Sequence, residues 1–276
     1  MIIQIEKKIE KKINQKIYLE PRTESISRII IFILAVAIFF VSTHLLNLDI
    51  YRFISRLSNF DRIIHMFQNF DASVIPLGIE QLFVSVALAI AGLAIGTVIS
   101  FILAFSSASN TTFFKPFGIP ILSIVIKGLV SFIRAIPNLV LILMIVASMG
   151  MGYIAGVVGL TLSSVGYLTK AFISTIEEQD SHVAEALRSN GANWFQIVFH
   201  GYLPQVATGF VAWLAIRMES NVSESISLGI VGAGGIGMLI SRSLRQGNHG
   251  ALAAYIVVIF TFLYILEILV AKLKGK

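Results

Sequence analysis

The residues best able to do chemistry in this chain are charged and amide side chains set inside long apolar stretches. Arg217, Asn221 and Glu224 recur at intervals of four and three residues, whereas Glu219 is out of that register. The spacing places the first three on one helical face and Glu219 on another. A charge in lipid costs several kcal/mol, so these side chains should face protein or water. Two interpretations stay open: a structural pairing of Arg217 with a carboxylate, or a face that lines a solute path.

A second set of cations lies earlier in the chain. Lys127 and Arg134 are seven residues apart and therefore share a helical face, and Lys170 lies in the next apolar stretch. Long basic side chains near a membrane surface extend their charged ends to lipid headgroups, and we favour this interpretation for Lys127 and Arg134. The alternative is that Arg134 and the nearby Pro137 belong to a solute path.

Several chemistries are not supported by the residues present. The chain has no cysteine, its five histidines make no metal-ligand spacing, and it has no Walker A pattern. Gly232, Gly234 and Gly237 match a dinucleotide fingerprint, but the next acidic residue, Glu267, is too distant and the flanks are apolar. We interpret these glycines instead as allowing a close helix crossing or a flexible gate. We therefore predict no catalytic residues, no bound metal and no cofactor.

The composition is that of an integral membrane protein. Of 276 residues, 56% are hydrophobic and 13% are charged, against about 25% charged in soluble domains. The apolar runs are long enough for helices, so we predict an all-α polytopic fold with six transmembrane helices. We expect a kink in the third span and an interruption of the fifth at residues 217–224. The predicted spans are 28–46, 80–105, 117–148, 154–176, 205–240 and 251–271.

The charges predict how the chain is organised and oriented. The net charge of +6 sits mostly at the chain ends, which indicates an orientation signal and not a nucleic-acid surface. We expect a basic amphipathic tail over residues 1–28, an additional span with an outside loop over 29–77, and a main membrane domain over 79–271. Both termini and a polar loop over 177–204 should then face the cytoplasm.

A polar segment between the fourth and fifth spans, residues 185–204, is predicted to form a helix, a turn and a second short helix; we call it the elbow. Asn190 and Gly191 end the first helix, and Asn193 with Gln196 can form a capping box for the second. The second helix would carry an aromatic tip, including Trp194 and Phe195, suited to a groove on another protein. The alternative is an amphipathic loop lying on lipid.

The elbow resembles the "EAA" loop of bacterial ABC-importer permeases. Glu185-Ala186, Gly191 and Leu203-Pro204 stand at the expected spacing, while Leu187 and Gly201 replace the usual alanine and isoleucine. Two further motifs resemble the phosphonate (PhnE-type) branch of that superfamily, whose fold is MetI-like. They are Arg134-x-x-Pro137, and Glu219-x-Asn221-Val222 followed by the glycine-rich run to Gly237, with Ser223 where that branch usually has arginine.

The resemblance implies a permease subunit of an ATP-driven importer for phosphonate- or phosphite-type oxyanions in the bacterial cytoplasmic membrane. Its implied partners are a second copy of the chain, two cytoplasmic ATPase subunits and an extracytoplasmic binding protein. Alternatives are a same-fold permease for methionine or another small solute, a passive channel, or a membrane enzyme. The implied coupling residues are Glu185, Ala186, Gly191, Trp194, Phe195, Leu203 and Pro204. The implied path residues are Arg134, Pro137, Arg217, Glu219, Asn221, Glu224, Gly232, Gly234 and Gly235.

Overall fold

The computed structural model describes residues 22–46, 51, 54–55, 60–111 and 120–274. Most of the amphipathic tail predicted for residues 1–28 therefore lies outside the described residues. The chain divides into two units, Met1–Ile63 and Ile64–Lys276. Helix α1 of the first unit, Arg22–Leu45, contains an apolar segment from Ile26 that is 20 residues long, enough to cross a bilayer.

Every regular element in the described part of the chain is helical, which confirms the predicted fold class. The helix α2 at the boundary of the units is amphipathic, as predicted for the loop after the first span. The elements after α1 are α2 (Phe60–Gln68), a 3-10 turn (Ala72–Val74), α3 (Ile75–Ser107), α4 (Ile121–Ala135), α5 (Asn138–Met149), α6 (Tyr153–Glu177), α7 (His182–Ser189), α8 (Trp194–Gln196), a π-helical turn (Ile197–Tyr202), α9 (Leu203–Ile230), α10 (Ile236–Gln246) and α11 (His249–Lys274).

Five helical segments in the described part of the chain are long and apolar enough to cross a membrane, and there are six if the bent pair α4–α5 counts as one span. This agrees with the predicted six spans and with the kink expected in the third. The two helices meet at 90° around Ile136, whose backbone is extended at ψ 125°. Pro137 explains the bend, because proline disfavours helical geometry in the residue before it and cannot donate a backbone hydrogen bond.

The prediction that residues 217–224 interrupt the fifth span is wrong. Helix α9 runs unbroken from Leu203 to Ile230, and the break comes later, in a loop where Gly232, Gly234 and Gly235 have positive φ. The polar side chains of α9 find partners on neighbouring helices, so the backbone keeps its own hydrogen bonds. The predicted close crossing is confirmed beyond this loop, where a Cβ on Gly237 would collide with the backbone of α9.

Helices α3 and α6 form the centre of the second unit and pack through small residues. A Cβ added to Gly92 would lie 2.6 Å from the Cβ of Leu160, and one on Gly96 would lie 2.6 Å from that of Ser164. Ala89, one turn before Gly92, is fully buried. Small residues let helix backbones approach closely where lipid supplies no hydrophobic drive between helices.

The long helices bring distant parts of the chain to two ends of the unit. At one end, the amide of Asp71 before α3 donates to the carbonyl of Gly250 in α11 at 3.3 Å. At the other end, which we call the elbow end, the side-chain amide of Asn110 donates to the carbonyl of Ile176 at 2.8 Å. Helix α11 begins beside Gly250 at the first end. It is 26 residues and therefore about 39 Å long, so its C-terminus lies at the elbow end.

We expect Gly92→Ala to destabilise the protein and Gly128→Ala not to. The Cβ at position 92 has no room, and overpacking of this kind costs about 1–3 kcal/mol. Position 128 lies in α4 with nothing within 4 Å of its Cβ, so alanine there should be neutral or stabilising through helix propensity. Thermal unfolding of the detergent-solubilised complex measures both; equal Tm values for the two variants would contradict the packing described.

Candidate functional site

The centre of the candidate site is an ion pair between two residues of α9. The guanidinium of Arg217 contacts both carboxylate oxygens of Glu224, with Nη1 to Oε1 at 3.1 Å and Nη2 to Oε2 at 2.9 Å. The Arg217 side chain is 3% exposed and that of Glu224 is 19% exposed. Their separation of seven residues puts both on one helical face, and the fork of the guanidinium matches the carboxylate.

Two serines of α6 complete the surroundings of Arg217. Its Nη2 donates to the hydroxyl of Ser163 at 2.7 Å and its Nε to that of Ser164 at 3.3 Å. Asn221, fully buried, donates to Ser164 at 3.0 Å and to the carbonyl of Ala89 in α3 at 3.3 Å. The polar face of α9 is thus bonded to both α3 and α6, which is what a buried polar network requires.

Glu224 connects this network to open space. Its Oε1 accepts from the side-chain amide of Asn138 at 2.9 Å, at the start of α5 directly after the bend. Both residues line an open cavity of about 300 Å³ together with Ser223 and Ser227. Arg217 is therefore buried and paired with a carboxylate, and Glu224 also stands at a cavity wall; that this face lines a solute path stays a prediction. Glu219 is half-buried on a different face, as its spacing predicts.

Polar residues of three helices converge along one side of the unit. Helix α6 carries them at intervals of four and three residues through its second half, which places them on one face. The same intervals occur on α4, and on α9 the polar residues are four and seven residues apart, which also keeps them on one face. We call the combined surface the polar track; its residues are Lys127, Ser131 and Arg134 of α4, Ser163, Tyr167, Lys170, Ser174 and Glu177 of α6, and Trp213, Arg217 and Glu224 of α9.

Two further open cavities show that these faces meet. One, of about 260 Å³, lies between α4, α6 and α9 and is lined by Arg134, Lys170 and Trp213 among others. The other, also about 260 Å³, lies nearer the elbow end between α4 and α6 and is lined by Lys127, Lys170 and Glu177 among others. From Ser163 to Glu177 the track covers about 21 Å along α6.

Lys127 is paired within the protein, a contact that the headgroup interpretation did not include. Its Nζ lies 2.7 Å from Oε1 of Glu177, and the two side chains are 39% and 30% exposed. Glu177 also accepts from the backbone amide of Ser109 at 2.7 Å. The last residue of α6 therefore holds together the elbow ends of α3, α4 and α6.

The elbow has the predicted local structure. Helix α7 ends before Gly191, whose φ of +77° is the left-handed conformation expected there. The capping box is present: Asn193 accepts from the amide of Gln196 at 2.9 Å, and Gln196 accepts from the amide of Asn193 at 2.8 Å. Pro204 stands in the first turn of α9. The π-helical turn between α8 and α9 is a feature that the sequence pattern did not predict.

The aromatic side chains exposed at the tip of the elbow are only partly the ones that were predicted. Trp194 is turned inward and donates from its indole nitrogen to the carbonyl of Thr111 at 2.7 Å, and Val198 is 1% exposed. Phe195 and Phe199 point outward, at 64% and 48% exposed. Arg188 adds a bond from Nη2 to the carbonyl of Asn110 at 3.0 Å. Trp194 and Arg188 thus anchor the elbow to the end of α3, and the two phenylalanines form its exposed surface.

The remaining predicted coupling residues lie on or beside the elbow helices. Glu185 accepts from the Ser181 hydroxyl at 2.5 Å, and Ala186 accepts from the Asn190 side chain. Leu203 begins α9 and packs against the cluster that contains Tyr202. The sequence places all seven coupling residues within one segment, and the structure keeps them at one end of the unit.

The glycines predicted to line a path lie at the other end of the unit, in the loop after α9. A Cβ on Gly232 would contact Met151, and one on Gly234 would contact Tyr153 at the start of α6. Beside Gly235, the amide of Ile236 donates to the hydroxyl of Ser85 at 3.1 Å. The structure therefore does not bring these glycines together with Arg134 or Arg217; they pack the loop against α3 and α6.

Sequence reasoning missed the contribution of α6 to the site. It identified Lys170 but not the face it shares with Ser163, Tyr167 and Ser174, although the intervals of three and four residues inside an apolar span were a usable signal. Asn138 was also missed, and its partner on α9 is 86 residues away, so no local pattern indicates the contact. In the described residues, no three His, Asp or Glu side chains gather as they would around a metal ion.

Comparisons with known proteins place this architecture among transport components. Residues 119–275 match the family described as "Binding-protein-dependent transport system inner membrane component". The "Phosphate-import permease protein PhnE" of Mycolicibacterium smegmatis is 38% identical over 52% of this chain and 27% of its own length. The "Phosphite transport system permease protein PtxC" of Stutzerimonas stutzeri is 36% identical over 68% of this chain and 67% of its own. The chain thus spans only about a quarter of the first relative and two thirds of the second.

A solved structure described as inward-facing conformations of the MetNI methionine ABC transporter has the same fold. Its TM-score is 0.60 at 20% sequence identity, over 74% of this chain and 96% of the compared chain. At that identity the likeness concerns the fold alone.

We expect Arg217→Met alone and Glu224→Met alone each to destabilise the protein strongly. The double variant should lose less stability than the sum of the two single losses. Removing one member of a buried pair leaves an uncompensated charge, at a cost of about 3–5 kcal/mol. Removing both avoids that cost, so the coupling energy should be large. Thermal unfolding and the yield of monodisperse complex measure it.

The matched control for the double-mutant cycle at positions 217 and 224 is Arg245→Met. Arg245 is an exposed arginine on α10 whose bond is to Ser241 of the same helix. Its replacement should change Tm by little. Strictly additive losses at positions 217 and 224 would show that the pair is not coupled in the folded protein.

Proposed function

This chain belongs to the family of binding-protein-dependent transport system inner membrane components, and we propose that it is the permease subunit of an ATP-driven importer for phosphonate- or phosphite-type oxyanions. The observation that carries the proposal is a polar track through an apolar helical unit, ending beside an elbow with two exposed aromatic side chains. The track supplies a path for a charged solute, and the elbow supplies a surface for a motor.

A separate ATPase must supply the energy, because the chain has no Walker A pattern. Phe195 and Phe199 give that partner an exposed aromatic surface to bind. Behind them, Trp194 and Arg188 connect the elbow to α3, and Glu177 connects the same end to α4. A movement of the elbow would therefore be passed to the helices that carry the track.

The path would be completed by a second copy of the chain, giving a homodimer served by two ATPase subunits. Arg134 and Lys170 are exposed on the open side of the track, although they belong to helices that cross the membrane. Charged side chains at that depth face a protein interior or water and not lipid. A second copy facing the first across the track would enclose them in a water-filled pathway.

The orientation we propose places both termini and the elbow in the cytoplasm. Helix α11 finishes at the elbow end with Lys272 and Lys274 in its last turn, and Lys276 follows in the sequence. Basic residues next to membrane helices favour the cytoplasmic side. The opposite end, with the glycine loop and α10, would face the extracytoplasmic binding protein that delivers the solute.

The charge of the track supports an anionic substrate. Its two carboxylates, Glu177 and Glu224, are each paired with a cation, which leaves further cations of the track without an ion-pair partner among the described residues. The two relatives named for phosphate import and phosphite transport are 38% and 36% identical to this chain. Methionine, the solute in the name of the solved relative, is the competing assignment, and that likeness rests on 20% identity.

In the cycle we propose, ATP binding closes the two ATPases and moves the elbows, which opens the track toward the binding protein. The solute then enters beside Glu224 and Asn138, passes along α6, and leaves at the elbow end after hydrolysis. Alternating exposure of this kind needs rigid helices that move as bodies, and the close packing of α3 on α6 provides them.

We expect a cysteine at position 189 to crosslink to the ATPase in the assembled complex. The chain has no native cysteine, so a single introduced thiol reports one site. Ser189→Cys is preferable to Gly191→Cys, because the φ of +77° at Gly191 would strain any side chain. Arg245→Cys on α10, at the far end of the unit, is the control that should not crosslink. No product from position 189 in an active complex would overturn the assignment of the elbow.

We expect proteoliposomes that contain the permease, its ATPase and its binding protein to take up phosphite in an ATP-dependent manner. Methylphosphonate should compete for uptake and methionine should not, because the unpaired charges of the track are positive. Radiolabelled uptake with and without ATP measures both properties. ATP-independent flux would favour a passive channel, and methionine uptake would move the chain to the other substrate class.

A further inference from the structure

We propose that Arg134 and Lys170 form a binding site for a tetrahedral oxyanion of phosphate chemistry, between the Arg217–Glu224 pair and the elbow end of the track. The inference rests on the proposed function, which it deepens by assigning the substrate's negative charges to two particular cations. It differs from that function in being testable by binding alone, without transport.

The two cations line one cavity from different helices. The open cavity of about 260 Å³ has Arg134 from α4 on one side, Lys170 from α6 on another and Trp213 from α9 on a third. Arg134 reaches this position because its side chain lies over Gly166, where a Cβ would be 3.3 Å from Cγ of the arginine. A larger residue at position 166 would displace the guanidinium.

Arg134 and Lys170 have no ion-pair or hydrogen-bond partner among the described residues. The other two cations of the track are both engaged, Lys127 with Glu177 at 2.7 Å and Arg217 with Glu224 at 2.9 Å. Four cations and two paired carboxylates leave two positive charges on the track. A phosphate-type group carries about −1.5 to −2 charges at neutral pH, so one such anion would balance them.

The donor types suit this class of ligand. Guanidinium presents a planar fork of N–H groups to tetrahedral oxyanions, and the lysine ammonium acts as a mobile point charge. Tyr167 lines the same cavity, and its hydroxyl has no hydrogen-bond partner in the part of the chain that the structure describes. The guanidinium carbon of Arg217 lies 5.6 Å from the centroid of the Tyr167 ring. Tyr167 therefore lies between this cavity and the buried ion pair.

The depth of the two cations argues against simple contact with headgroups. Lys170 lies seven residues before the end of α6, and Gly166, beside Arg134, lies eleven residues before it. These positions are about 10 and 16 Å from the elbow end of the helix. Unpaired charges at that depth are costly unless an anion or water reaches them. The same chemistry could come from a free solute or from a lipid phosphate, and the polar faces of three helices around the cavity favour the solute.

The test is a titration of the purified permease–ATPase complex with inorganic phosphate, in nanodiscs made of phosphatidylcholine. Trp213 lines the cavity, so its fluorescence, taken as the difference from a Trp213→Phe variant, reports occupancy directly. We expect saturable binding that phosphite competes for and that methionine does not.

Variants of the two cations distinguish a loss of binding caused by the missing charge from one caused by misfolding. Lys170→Gln and Arg134→Gln should each weaken phosphate binding at least tenfold, whereas Lys170→Arg should stay within about threefold of the unmodified chain. Arg134→Lys keeps the charge but loses the planar fork, so its binding should fall between these limits. Lys272→Gln, which removes an exposed cation at the end of α11, is the control and should bind normally. Unchanged Tm values for the glutamine variants would show that lost binding is not lost folding.

Two results would overturn the site. The first is phosphate binding that is absent or is unchanged in both glutamine variants. The second is a tightly retained phosphatidylglycerol, detected by mass spectrometry, that is lost in those variants and that phosphate does not displace; the cations would then hold a lipid. Phosphite uptake with unchanged binding in the variants would refute the site and leave the proposed function standing. Phosphate binding that is weakened in the glutamine variants as expected, together with an absence of phosphite uptake, would support the site and refute the proposed function.

Discussion

Burying a charge in an apolar helical unit is possible only when other side chains replace the water it loses, and the structure depends on this constraint at Arg217. The guanidinium has Glu224 on its own helix and Ser163 and Ser164 on α6. Because all its partners are side chains, α9 keeps its backbone hydrogen bonds and crosses the unit without a break. The same requirement explains why small polar residues occupy α6 there, since longer side chains would separate the two helices.

The polar track and the elbow are connected through the end of α3, because Glu177 of the track and Trp194 of the elbow both bond to residues that follow that helix. Glu177 ends α6, lies on the polar face of that helix, and holds the ends of α3 and α4. Trp194 fixes the elbow to the same end of α3. The close contact of Gly92 with Leu160 packs α3 directly against α6. A push at the exposed phenylalanines would therefore reach the cavities of the track through packed helices and not through a flexible loop.

Local features of the chain were predictable where the determining residues are neighbours in sequence. The bend before Pro137, the left-handed Gly191 and the capping box of Asn193 with Gln196 follow from steric and hydrogen-bonding rules that act over a few residues. The inward turn of Trp194 did not follow, because its partner, Thr111, lies 83 residues away. The continuity of α9 was misjudged for the same reason: its polar residues look disruptive until their partners on α6 are known.

The sequence by itself determined that the chain is a helical membrane protein with six apolar spans, a polar elbow and charges at membrane depth, since hydropathy and helical spacing are local properties. Only the tertiary structure decided which of those charges are neutralised. Arg217 and Lys127 have carboxylate partners, whereas Arg134 and Lys170 share a cavity without one in the described residues. The physical reason is that an ion pair depends on distance in space, and helix packing sets that distance between residues far apart in the chain.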